Sequence, residues 1–137
     1  MRGRRGAVLL PLLLLLGCTG AAASPLPTRV EIALHYSQFE PDRVRVPAGV
    51  PVTIVLRNDD PIDHEWIVGS DEVHTAHRAG SEPHHEGRPT EVSIDALSVR
   101  ETTITFDTPG TLSYICHLPG HEAYGMVGTL EVATAGN

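Results

Sequence analysis

Cys116, His121 and Met126 fall at even five-residue steps in the run Tyr114-Ile115-Cys116-His117-Leu118-Pro119-Gly120-His121-Glu122-Ala123-Tyr124-Gly125-Met126. A soft thiolate, a borderline imidazole and a weak thioether suit copper cycling between its two common oxidation states, and suit magnesium or calcium poorly. A second imidazole would complete such a set. The candidate is His64, in the stretch Asn58 to Trp66 that follows the β-branched run Val52-Thr53-Ile54-Val55-Leu56 as a loop follows a strand. Two imidazoles, a thiolate and a distant thioether lie between the preferences of Cu(II) and Cu(I), so little rearrangement accompanies a one-electron change.

Each of these residues also has a plainer role open to it. Met126 could fill the core, and His64 could cap a turn after Asp63. His117, directly after Cys116, should point to the opposite face of a continuing strand and is set aside as a ligand. His35 reads as a strand-end surface residue. Trp66, the only tryptophan, shares a strand face with His64 and reads as core packing near the metal.

At these residues the chain resembles the cupredoxins, the small blue-copper proteins, from about Val30 to Val132. Its loop is most similar to the rusticyanin type, Cys-x-x-Pro-Gly-His-x-x-x-Gly-Met. The plastocyanin-type loop has its histidine three residues after the cysteine, where Pro119 stands here. The resemblance implies a cupredoxin-like Greek-key β-sandwich, one-electron transfer and a single type 1 copper held by His64, Cys116, His121 and Met126. One departure concerns Glu65, since azurins and plastocyanins often have Asn directly after the first histidine ligand.

The N-terminus reads as an export signal over residues 1–23. Arg2, Arg4 and Arg5 form a positive region, and Ala7 to Leu16 is apolar but too short for the ~20 residues of a membrane span. Leu15-Leu16-Gly17-Cys18 resembles a lipoprotein cleavage box with Cys18 as the lipid-bearing residue, while Ala21-Ala22-Ala23 before Ser24 is an ordinary cleavage site. Both routes place the protein outside the cytoplasm, either periplasmic or on the outer face of the cytoplasmic membrane, with a lipid as its only membrane anchor. Residues 24–29 read as a short linker, 30–133 as one domain and 134–137 as a tail. With Cys18 lipidated or removed, Cys116 has no disulfide partner, and an unpaired exported cysteine is a hazard or a ligand.

All ten basic residues are arginine, and three of them lie in the signal. The formal charge therefore moves from −7 to about −10 when the signal leaves. That disfavours nucleic acid and favours a redox protein partner with a basic docking surface. The expected electron exit is the His121 edge, flanked by Pro61, Ile62, Leu118, Pro119 and Tyr124 and rimmed by Asp59, Asp60, Asp63 and Glu122. A monomer is expected.

About seven or eight short strands with turns between them describe an antiparallel two-sheet sandwich. Gly69 to Pro89 breaks the rhythm and reads as a long His-rich loop with one short helical turn around Glu72 to Arg78. His74, His77, His84 and His85 there are either exposed loop residues or a second, weaker metal site for Zn(II) or Cu(II). No enzyme is expected: His-x-His pairs, which multicopper enzymes need, do not occur. Copper carriage or storage on the same fold is the alternative to electron transfer, though Met126 is the only methionine besides Met1.

Overall fold

The structure is a computed structural model and describes residues 26–80, 85 and 87–134. The export signal with Cys18, His84 and residues 135–137 lie outside the described residues.

The chain runs β1 (Arg29–His35), β2 (Gln38–Glu40), β3 (Arg43–Pro47), β4 (Pro51–Asn58), β5 (His64–Gly69), α1 (Asp71–Ala79), β6 (Glu91–Ile94), β7 (Val99–Thr105), β8 (Gly110–Ile115) and β9 (Val127–Ala133). Two sheets face each other, β2-β1-β4-β7 and β3-β9-β8-β5-β6, giving the expected cupredoxin-like β-sandwich. Two pairings, β1 with β4 and β3 with β9, are parallel. The expectation of an antiparallel sandwich is corrected at these two pairs, whose strands are separated by other strands in the chain and so are not joined by a hairpin.

Alternation decides which side chains enter the core. Val30, Ile32 and Leu34 of β1 are buried between exposed Arg29 and Glu31, and Val44 and Val46 of β3 are buried between exposed Arg43 and Arg45. Each such aliphatic side chain contributes on the order of 2 kcal/mol by leaving water. Beneath the metal end, Trp66 and Tyr114 pack at 6.1 Å between ring centroids, and Tyr114 Oη donates to Pro41 O at 2.8 Å. The Tyr114 ring lies across Gly128, where a Cβ would come within 2.1 Å of it.

Strand β5 is different, because all six of its residues are buried. His64, Trp66 and Val68 lie on the face turned to the sandwich interior, while Glu65, Ile67 and Gly69 lie on the other. That outer face is covered by α1, a nine-residue helix where the sequence suggested one short turn. Gly69 permits the close approach, since a Cβ on it would sit 2.8 Å from Val73 Cβ. Among the described residues, no helix is long and apolar enough to cross a membrane.

Candidate metal centre

The metal end is built from two strand ends and one loop. Asn58, at the end of β4, is buried; it donates to Ile62 O at 2.8 Å and Asp95 O at 3.0 Å and accepts from Asp60 N at 2.9 Å. This shapes the turn that delivers His64. At the other side, the segment from Cys116 to Met126 closes on itself. Cys116 N–H donates to Met126 O at 3.2 Å, Met126 N–H to His121 O at 3.0 Å and His121 N–H to Leu118 O at 3.0 Å. Gly120 (φ +87°) and Gly125 (φ +93°) take left-handed conformations in these turns, which side chains bearing a Cβ adopt at a cost.

Three donor atoms converge. His64 Nδ1 lies 3.1 Å from His121 Nδ1, Cys116 Sγ lies 3.3 Å from His121 Nδ1, and all three fall within 4.8 Å of one another. Met126 is fully buried in the same core cluster as Cys116. The sequence candidates His64, Cys116, His121 and Met126 are thus brought to one end of the sandwich. A nitrogen, nitrogen and sulfur set at this spacing, with a thioether nearby, has the chemistry copper requires.

The surroundings orient this set. Glu65 N–H donates to Cys116 Sγ at 3.4 Å, a backbone contact that does not depend on the residue type. Burial pushes the Cys116 thiol up to about 11, against the pull of the Glu65 and Leu118 N–H groups. A metal bound there would displace that proton and hold the sulfur as a thiolate. Burial, and then the neighbouring His64, hold His121 below the ordinary histidine value.

Asp60 belongs to this centre and not to the surface. Its carboxylate meets His64 Nε2 at 2.9 Å and accepts from Tyr36 N and Ser37 N at 2.8 Å each. Burial raises its carboxyl, but the Ser37, His64 and Tyr36 contacts outweigh that and leave it below its usual value. Tyr36 and Ser37 have φ of 52° and 55°, the left-handed pair that a two-residue hairpin turn requires. One carboxylate thus holds both the β1–β2 turn and the ring of His64. Of the expected acidic rim, Asp60 is buried, Asp59 pairs with Arg57 and Glu122 pairs with Arg78, while Asp63 is exposed and accepts from Ala96 N at 2.9 Å. Of the residues expected to flank His121, Ile62 is 46% and Tyr124 77% exposed, and His121 itself is half-buried.

The second predicted histidine group is only partly assembled. His77 and His85 come together with Glu91, whereas His74 is buried against His117 Nε2 at 2.9 Å and Ser113 O at 3.2 Å. Three helical residues rotate a side chain by about 300°, so His74 and His77 diverge by about 60° and serve different neighbours. His117 points away from the copper donors, as strand alternation requires, and burial lowers it to about 4. The sequence reading placed Asp60 on a surface rim, singled out Glu65 only for its place after His64, and gave Glu91 no role. The available signal was a carboxylate set among apolar strand residues, as in His64-Glu65-Trp66-Ile67-Val68.

Residues 28–133 match the family described as copper binding proteins, plastocyanin/azurin family. The copper-resistant cuproprotein CopI of Rubrivivax gelatinosus is 30% identical over 120 residues, covering 85% of this chain and 72% of CopI. Reduced auracyanin from Roseiflexus castenholzii superposes with a TM-score of 0.68 at 23% identity, over 79% of this chain and 98% of auracyanin. Reduced rusticyanin superposes with a TM-score of 0.53 at 18% identity, over 77% and 80% of the two chains. With its donor set gathered at one end of this sandwich, the chain belongs to the plastocyanin/azurin family of copper-binding proteins.

Proposed function

We propose that the protein is a one-electron carrier holding a single type 1 copper through His64, Cys116, His121 and Met126. The observation that carries this is an asymmetry of exposure. Cys116, Met126 and His64 are at most 1% exposed, while His121 is partly open to solvent among apolar side chains. Copper bound there would supply a Cu(II)/Cu(I) couple. The buried residues hold it in fixed positions and exclude water, and His121 offers a short path to a partner docked on Ile62, Pro119 and Tyr124.

The cavity lined by His64, Glu65 and Leu118 measures about 60 Å³, far below the ~300 Å³ at which ligand pockets begin. The donor set itself therefore offers little room for a substrate. The partner is a redox protein with a basic docking face, attracted by net charge more than by a local acidic rim. The leader places the protein outside the cytoplasmic membrane, tethered through Cys18 or released.

Copper handling is the second reading, favoured by the similarity to CopI, a copper-resistant cuproprotein. A visible spectrum and a redox titration of the copper-loaded protein separate the two. An intense sulfur-to-copper band with a reversible one-electron couple supports the carrier. A colourless protein that retains Cu(I) and shows no reversible couple sinks it in favour of copper handling.

A further inference from the structure

On the outer face of β5, away from Cys116, the end of α1, residue 85 and β6 bring two imidazoles and a carboxylate together. We propose that His77, His85 and Glu91 form a second metal site, for a borderline divalent cation such as Zn(II) or Cu(II). Glu91 Oε2 lies 3.3 Å from His85 Nδ1 and 3.7 Å from His77 Nε2, and the three donors fall within 4.8 Å of one another. A tetrahedral ion with bonds of about 2.0–2.1 Å sets neighbouring donors about 3.4 Å apart, so little movement is needed to close on it.

Outer contacts aim each donor inward. His77 Nδ1–H donates to Val73 O at 2.8 Å, which leaves the lone pair on Nε2, the atom that faces Glu91. Arg88 Nη1 donates to Glu91 Oε1 at 2.9 Å, turning Oε2 toward the histidines. His85 Nε2 stands 3.4 Å from Glu65 Oε2, an ion-pair distance without hydrogen-bond geometry, while its Nδ1 faces Glu91 Oε2. Metal-ligating histidines are oriented by contacts of this kind.

Burial adds to the case. The side chains of His77, His85 and Glu91 are 11%, 3% and 10% exposed, so an ion held by them would be largely shielded from water. Two imidazoles and one carboxylate leave a fourth position open. A cavity of about 140 Å³ bounded by Ala76, Gly80 and Arg88 opens beside the group and gives room for water or an incoming ligand. The rival state is a protonated His85 between Glu65 and Glu91 with no metal.

Zinc titration by calorimetry and equilibrium dialysis decides between them. It is run on the copper-loaded protein and on Cys116→Ser, so that failure of the copper assignment leaves this question answerable. One zinc per chain is expected in both, with no loss of visible absorption in the first and a zinc-dependent rise in melting temperature. His77→Ala and His85→Ala should weaken binding at least ~100-fold, and Glu91→Gln at least ~10-fold. Glu91→Gln retains an acceptor for Arg88 and serves as the conservative variant if an alanine variant fails to fold. Absence of zinc binding overturns the proposal, as does zinc that displaces copper or binds all three variants equally. In those cases the cluster is the protonated His85 arrangement.

Discussion

Two groups of metal-type side chains lie on opposite faces of β5, and they are assembled by different means. On the interior face, His64, Cys116 and His121 sit at strand ends and in a loop closed by its own backbone hydrogen bonds. On the outer face, His77 comes from a helix and Glu91 from a strand, with His85 outside both elements. The first group inherits its rigidity from the sandwich. The second depends on how closely α1 packs on β5, a contact permitted by the missing side chain of Gly69. The difference teaches that alternation along one strand can serve two chemistries at once, provided each face is covered separately.

The largest expected effect tests their independence. Cys116→Ser should abolish the visible sulfur-to-copper absorption, since that transition needs the sulfur, yet leave zinc affinity at the outer group within about twofold. Loss of both would break the comparison. Asp60→Ala comes next, because it leaves Tyr36 N, Ser37 N and His64 Nε2 without their acceptor. A fall of about 2–3 kcal/mol in unfolding free energy is expected, read by chemical denaturation. An unchanged denaturation midpoint would show that the β1–β2 turn does not depend on that carboxylate.

Gly69→Ala sharpens the contrast from the other side. The added Cβ would meet Val73 at 2.8 Å, so α1 must move, at a cost of about 1–2 kcal/mol. Zinc binding should weaken while the copper absorption keeps its position and intensity. A shift of the copper band instead would show that the two faces are mechanically joined. The smallest effect concerns salt. With Asp59 and Glu122 paired to arginines and Asp60 buried, electron exchange with a cationic partner should slow by less than ~3-fold as the Debye length falls from ~30 to ~8 Å. A steep decline in stopped-flow rates would restore a strongly acidic docking face.

The legibility of the two groups follows from the same contrast. Cys116, His121 and Met126 could be read in sequence because one short loop carries all three, and an unpaired cysteine behind what reads as an export signal has few other uses. The alternating strands β1, β3 and β9 announce their buried faces in the same local way. Asp60 was visible only as one more acid in Asn58-Asp59-Asp60, since its role is set by Tyr36 and Ser37, 24 and 23 residues away. Glu91 likewise meets His77 and His85 through the pairing of β5 with β6, which no local spacing encodes. The helix was underestimated because Asp71–Ala79 is rich in polar residues. Its formation rests on packing against the sheet more than on its own propensity.

The self-closed segment between Cys116 and Met126 has an engineering consequence. Its ends are tied by Cys116 N to Met126 O, whereas His64 is oriented from another part of the chain by Asp60. The segment therefore behaves as a replaceable cartridge. Lengthening or shortening it would alter the donors it carries and the surface it shows to a partner, while the socket that receives it keeps its shape.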